Sequence, residues 1–220
     1  MEILEHSFPS TVPVSFRSLV WAHTVPLAHR LRRGEGHLFA VAMSLAWAGG
    51  DPGRWWAQGL VAGATLMLLY LVNDLHDCRG DLNDPGKNRA FTEFLVAHRR
   101  RMTGLLMAEH VALVAVSASL LGGRSAVAVA AVSAVNLLYS VWLKGMASFD
   151  APWVALWAAL YLMVPDSGVP LTVVAIPAVM TAIAHAYQIV RDRDVDAINR
   201  IRTSAVADLK LPTMQIALAA

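Results

Sequence analysis

The sequence predicts an all-α, polytopic transmembrane bundle of about six helices. Three observations carry that expectation. Of the 220 residues, 56% are hydrophobic and only 15% charged, where soluble domains carry roughly a quarter. The mean hydropathy is +0.50. The apolar residues also gather in long runs rather than in short amphipathic stretches.

The runs fall at about His37–Gly50, Trp56–Val72, Gly104–Leu121, Ser125–Leu143, Pro152–Pro165 and Val169–Val190. A helical span needs ~20 residues, and four of the runs reach or approach that length. The first and fifth are short, so their helices must borrow flanking residues or thin the bilayer locally. Helix is the expected state because an open strand leaves its backbone unsatisfied in lipid. Alternation with period two, the mark of a transmembrane barrel, is absent. Residues 1–36 read as a polar, Pro-broken, basic cytoplasmic or interfacial segment, and residues 37–220 as the membrane domain. No cleavable leader is visible in the first stretch. The single cysteine, Cys78, excludes an intrachain disulfide framework. A net charge of only +2 gives nucleic-acid binding no support.

Charge placement orients the chain. With the N-terminus in the cytoplasm, Arg17, Arg30, Arg32 and Arg33 precede the first span. Arg79, Lys87, Arg89 and Arg99 to Arg101 follow the second, Lys144 the fourth, and Arg191, Arg193, Arg200, Arg202 and Lys210 the sixth. Only Arg54 and Arg124 then fall outside. Lys/Arg bias in short loops sets topology, so a multi-pass protein with a cytoplasmic N-terminus is expected. Trp21, Trp55, Trp56, Trp142 and Trp153 lie near span ends, as interfacial aromatics do.

Two acid clusters stand at cytoplasmic span ends. The first is Asn73-Asp74-Leu75-His76-Asp77-Cys78-Arg79-Gly80-Asp81. On a continued helix Asp74, Asp77 and Asp81 share one face, and Asn73 joins them. Two readings fit: a solvated acidic helix end balanced by Arg79, or a Mg²⁺ site, since Mg²⁺ takes hard oxygen ligands from carboxylates and phosphates. The second cluster is Tyr187-Gln188-Ile189-Val190-Arg191-Asp192-Arg193-Asp194-Val195-Asp196. Asp192 and Asp196 are four apart, as are Tyr187 and Arg191. Here the readings are a neutral juxtamembrane helix with local ion pairs, or a second Mg²⁺ half-site with phosphate-binding guanidiniums. Both clusters emerge on the same side, so they can face one cavity. Facing carboxylates ringed by cations suit a diphosphate, and a lipid-embedded bundle suits a hydrocarbon tail. An allylic, isoprenoid diphosphate combines the two.

The motif Asn73-Asp74-x-x-Asp77-x-x-x-Asp81, followed by Asp84-Pro85-Gly86-Lys87-Asn88-Arg89, resembles the first signature of the UbiA-type intramembrane prenyltransferases. Tyr139-Ser140-x-x-Leu143-Lys144 with Asp150 resembles that family's fourth-helix end, and Asp192-x-x-x-Asp196 running to Ile201-Arg202-Thr203 its second Asp-rich motif. The resemblance implies that Asn73, Asp74, Asp77, Asp81, Asp192 and Asp196 hold Mg²⁺. It implies that Lys87, Arg89, Tyr139 and Lys144 contact phosphate or shape the pocket, alongside Tyr187 and Arg191. Asp74, Asp77, Asp192 and Lys144 would carry the chemistry. The implied reaction moves an isoprenyl group from its diphosphate to an aromatic or other lipophilic acceptor. Cyclisation of the prenyl chain on itself, or a shortened non-catalytic homologue, are the alternatives. Family bundles have about nine helices, so a second copy or a partner chain completing the bundle is also expected. Three positions depart from the family pattern: Ala90-Phe91 stands where Pro-Leu is common, and Arg200 where Gly is common.

Outside the clusters the expectations are plainer. His110, His185 and Asn136 are expected to form interhelical hydrogen bonds and Glu109 to meet a cation; Arg99 to Arg101 read as headgroup anchors.

Overall fold

The computed structural model describes residues 14–32, 37–49, 52–144, 146, 149–165, 169–201, 203 and 205–207. The described residues form eight helices and no strand: α1 (Phe16–Arg32), α2 (His37–Gly49), α3 (Trp55–Asp77), α4 (Arg89–Leu121), α5 (Gly123–Leu138), α6 (Asp150–Leu162), α7 (Leu171–Arg191) and α8 (Arg193–Ile198). Arg33, Arg202, Lys210, residues 1–13 and the Leu209–Ala220 stretch of the sequence lie outside the described residues.

Four segments are long and apolar enough to cross a bilayer: Pro52–Asp77, Arg89–Leu121, Gly123–Leu143 and Leu171–Arg191. The expected count was about six. The remaining two runs do form helices, α2 and α6, but each has 13 residues. At 1.5 Å per residue that is roughly 20 Å, short of a ~30 Å hydrocarbon core. The described residues are therefore all-helical and of membrane-protein character, with four full-length candidate spans and two shorter helices packed among them.

α3 is the central element. It touches α1, α2, α4, α5 and α6, and Val61, Ala62, Leu68, Leu69 and Leu71 are all but inaccessible. The outer helices present Val111, Val127, Ile176 and Met180 outward, as a lipid-facing surface requires. Lipid tails are as apolar as the interior, so packing alone does not drive helices together, and interhelical hydrogen bonds add specificity. Asn136 Nδ2 on α5 donates to Leu69 O on α3 at 2.9 Å. Tyr161 OH on α6 donates to Ala62 O at 3.2 Å. Ser125 bridges Ser117 Oγ, at 2.9 Å, to the carbonyl of Val164. At the far end Arg54 Nη2 donates to Leu121 O at 3.1 Å, covering one orphan carbonyl of α4.

Several side chains depart from their expected settings. Trp21 is buried, with its ring edge-on to Phe91 and Phe94 at 6.1 and 5.6 Å; it ties α1 to α4 instead of marking an interface. His110 bonds back to Leu106 O of its own helix rather than across helices. Glu109 does meet a potential cation, His23 Nε2 at 3.1 Å. α4 breaks its helical dihedrals at His98 (φ −111°, ψ 17°), just before the Arg99 to Arg101 run.

Asn136→Leu should cost about 1 kcal/mol, the usual worth of one interhelical hydrogen bond. It should lower the midpoint of unfolding in a detergent titration; an unchanged midpoint would show that the Leu69 contact contributes nothing.

Candidate functional site

The C-terminal ends of α3, α5 and α7 and the N-terminal ends of α4 and α8 meet at one end of the bundle, around a cavity of about 630 Å³. Six aspartates (74, 77, 81, 84, 192 and 196) and five cations (Arg30, Lys87, Lys144, Arg191 and Arg200) line it. Both acid clusters thus open onto the same hollow, although more than a hundred residues separate them in the chain.

Local chemistry explains how each group arrives. α3 runs helically through Asp77, so Asn73, Asp74 and Asp77 leave it together, and a 3-10 turn at Asp81–Asn83 carries Asp81 inward. The following loop reverses by an Asx turn, with Gly86 N–H donating to Asp84 Oδ1 at 2.7 Å. Asn88 then caps α4, accepting from Phe91 N–H at 3.0 Å. Between these two fixed points Lys87 reaches back, 3.1 Å from Asp81 and 3.7 Å from Asp74. At the end of α5 the chain widens into a π turn over Tyr139–Leu143, closed by Lys144 N–H donating to Tyr139 O at 2.7 Å. That wider turn places Lys144 on Asp77. Single π turns of this kind recur at functional sites.

The second cluster is tied to the first. Asn199 Nδ2 donates to Gly80 O at 3.2 Å, and Asn83 Nδ2 donates to Asn199 Oδ1 at 2.9 Å. The approach is close: a Cβ on Gly80 would lie 3.2 Å from Asn199 Nδ2. α7 ends at Arg191, the helix breaks at Asp192, and α8 carries Asp196 back to the cavity wall.

Every carboxylate of the first cluster has a cation. Arg30, from α1, donates to Asp74 Oδ1 at 2.6 Å while its guanidinium lies 3.9 Å from the centre of the Tyr70 ring. Lys87 answers Asp81 and Lys144 answers Asp77. Burial disfavours charge on Lys87, but Asp74 and Asp81 outweigh it and hold the ammonium above its usual range. Burial raises the Asp81 carboxyl despite Lys87. Asp196 is pushed up to about 6, by burial first and by Asp192, against the opposing pull of Lys144.

The expected site residues divide in two. Asn73, Asp74, Asp77, Asp81, Lys87, Lys144, Arg191, Asp192 and Asp196 all line the cavity. Arg89, Tyr139 and Tyr187 do not. Arg89 sits on the exposed first turn of α4 and pairs with Glu93 at 2.9 Å. Tyr139 turns toward α7, its hydroxyl 3.4 Å from His185 Nε2. Tyr187 is largely exposed. Helical spacing had placed each on a face without showing what that face meets. Conversely, Arg30, Asn88, Ser140 and Asn199 line the cavity without having been singled out. The caps and turns around Asn88 are visible in sequence; the arrival of Arg30 from α1 is not.

Magnesium favours hard oxygen donors, and the carboxylates here fit it by donor type. Their arrangement is not a ready cation site. The first three are engaged by Arg30, Lys87 and Lys144, and no three His, Cys, Asp or Glu side chains among the described residues converge as metal ligands. The chain matches no protein-family model, no curated protein and no solved structure.

A carboxyl raised to about 6 from 3.8 binds its proton more tightly in the folded state. Its stabilising contribution is complete below pH 3.8 and is lost as pH rises through 6. Asp196→Asn should therefore raise the unfolding midpoint of the metal-free protein at pH 7, and the gain should vanish near pH 4. An equal gain at both pH values would remove the burial of Asp196 as its cause.

Proposed function

We propose that this chain is a Mg²⁺-dependent intramembrane prenyltransferase of the UbiA type. It would move an isoprenyl group from an allylic diphosphate to a lipophilic acceptor. The observation that carries this reading is the convergence of two distant Asp-rich segments, with four cations on carboxylates, in one cavity at the end of an apolar helical bundle.

The cavity has two kinds of wall. Its acidic and basic groups suit a diphosphate; Val25, Pro26, Phe91 and Leu95, from α1 and α4, offer an apolar side for a prenyl chain. Asn73, Asp74, Asp77, Asp81, Asp192 and Asp196 are the residues that would hold Mg²⁺. When bound, the metal supplies Lewis-acid stabilisation of charge on the leaving diphosphate. Lys87, Lys144 and Arg191 already stand where their charge can pass from carboxylate to phosphate oxygen, and pre-placed cations stabilise charge as it develops. In the reaction the allylic C–O bond breaks and its electron pair leaves with the diphosphate. The acceptor ring then attacks the carbocation, and the proton it loses passes to the released diphosphate. An apolar wall excludes water, which would otherwise quench the cation. The charge bias of the loops supports a cytoplasmic placing of this end and of the N-terminus.

Purified protein should convert labelled prenyl diphosphates in the presence of Mg²⁺ and an aromatic acceptor, read by mass analysis of the lipid extract. A cyclic product without acceptor would redirect the reading to cyclisation. Asp77→Ala and Asp74→Ala should each cut turnover on the order of 100-fold or more while the protein still purifies as a monodisperse species. Asp192→Ala should do the same; unchanged turnover there would mean that the two clusters do not serve one ligand. Arg99→Ala, outside the cavity, should leave turnover essentially as it is.

A further inference from the structure

α8 closes with a cap that ordinarily calls for glycine. Ile201 N–H donates to Asp196 O at 2.8 Å and Arg200 N–H donates to Ala197 O at 3.1 Å. This paired closure requires the residue between, the first beyond the helix cap, to take the left-handed conformation. Arg200 does so, at φ 59°, and it is the one non-glycine residue with positive φ among those described. An L side chain is strained there, and Gly is the usual occupant. Sparse backbone conformations that persist at non-glycine positions gather at ligand clamps and active sites.

The side chain supplies the second observation. Four of the five cavity cations face a carboxylate: Arg30 on Asp74, Lys87 on Asp81, Lys144 on Asp77 and Arg191 on Asp192. Arg200 lines the same cavity and has no side-chain hydrogen bond or ion pair among the described residues. Its side chain is exposed at the cavity mouth with its charge uncommitted, on a left-handed backbone held by the two cap hydrogen bonds.

We propose that Arg200 is a ligand-anchoring residue that takes the outer phosphate of the bound diphosphate. The inference rests on the diphosphate reading above. A guanidinium matches two phosphate oxygens at once. The other four cations already share their donors with an aspartate, whereas Arg200 takes phosphate without disturbing an ion pair. The contrasting reading is a solvated surface arginine in a turn. On that reading glycine would relieve the cap at no functional cost.

The test uses the full chain in a phosphate-free detergent, which removes lipid headgroups as a source of phosphate. Inorganic pyrophosphate is titrated calorimetrically with Mg²⁺ present, for the parent, Arg200→Gly and Arg200→Lys. Thermal unfolding of each is followed without ligand. Arg200→Gly should weaken pyrophosphate binding about tenfold or more, while its unfolding midpoint equals or exceeds the parent's. Arg200→Lys, which keeps the charge but not the fork, should fall between. Parent-like binding by Arg200→Gly would overturn the proposal and leave the diphosphate reading standing. Weaker binding with a lowered midpoint would also overturn it, since the loss would then be structural. A parent that does not bind pyrophosphate at all would remove the diphosphate reading, and Arg200's role with it.

Discussion

Carboxylates at the edge of an apolar bundle must be neutralised, and the structure of this protein is organised around that constraint. Asp74 and Asp77 are mostly withdrawn from solvent. A buried charge left without its partner costs several kcal/mol. Three separate elements answer the need. α1 brings Arg30, the loop before α4 brings Lys87, and the π turn after α5 brings Lys144. α1 is held both by this pairing and by the apolar packing of Trp21, Ala22 and Val25, and the irregular end of α5 carries Lys144 to its carboxylate.

The pairing also shapes what the cavity can accept. Its charges nearly cancel, so a bare cation meets lysines already seated on the carboxylates, and a bare anion meets aspartates. A ligand carrying both, a metal with a phosphorylated group, offers each side an exchange partner. Such exchange keeps every charge compensated throughout, which matters most where water is scarce. The apolar wall from α1 and α4 continues the hollow beside the charged one, so a single amphiphile can satisfy both.

Much of the site was legible in the primary structure. Asp74 and Asp77 were placed on one face by helical spacing, and Lys87 and Lys144 by the motifs around them. The side chains that turned elsewhere did so for tertiary reasons. Arg89 found Glu93 one turn along its own helix. Tyr139, at the start of the π turn, faces His185 and not the cavity. Arg30 came from a segment whose sequence carries no chemical signature, and Asn199 from within the second Asp-rich stretch but at a position the motif does not single out, so the fold was needed to bring both in. The departure at Arg200 from a common Gly was visible in the sequence; its left-handed backbone was not, because that conformation is set by the cap it closes.

By itself the sequence determined that the chain is helical, where its apolar runs lie, and that it has the composition of a membrane protein; α1, α8 and the first four turns of α4 lie outside those runs. These follow from composition and short-range periodicity, which are properties of neighbours along the chain. The tertiary structure decided how many helices are long enough to cross, which cation meets which carboxylate, and which side chains share the cavity. Those outcomes depend on turn geometry and helix ends, where a shift of one residue turns a side chain by about 100°. No repeating pattern in the chain records that rotation.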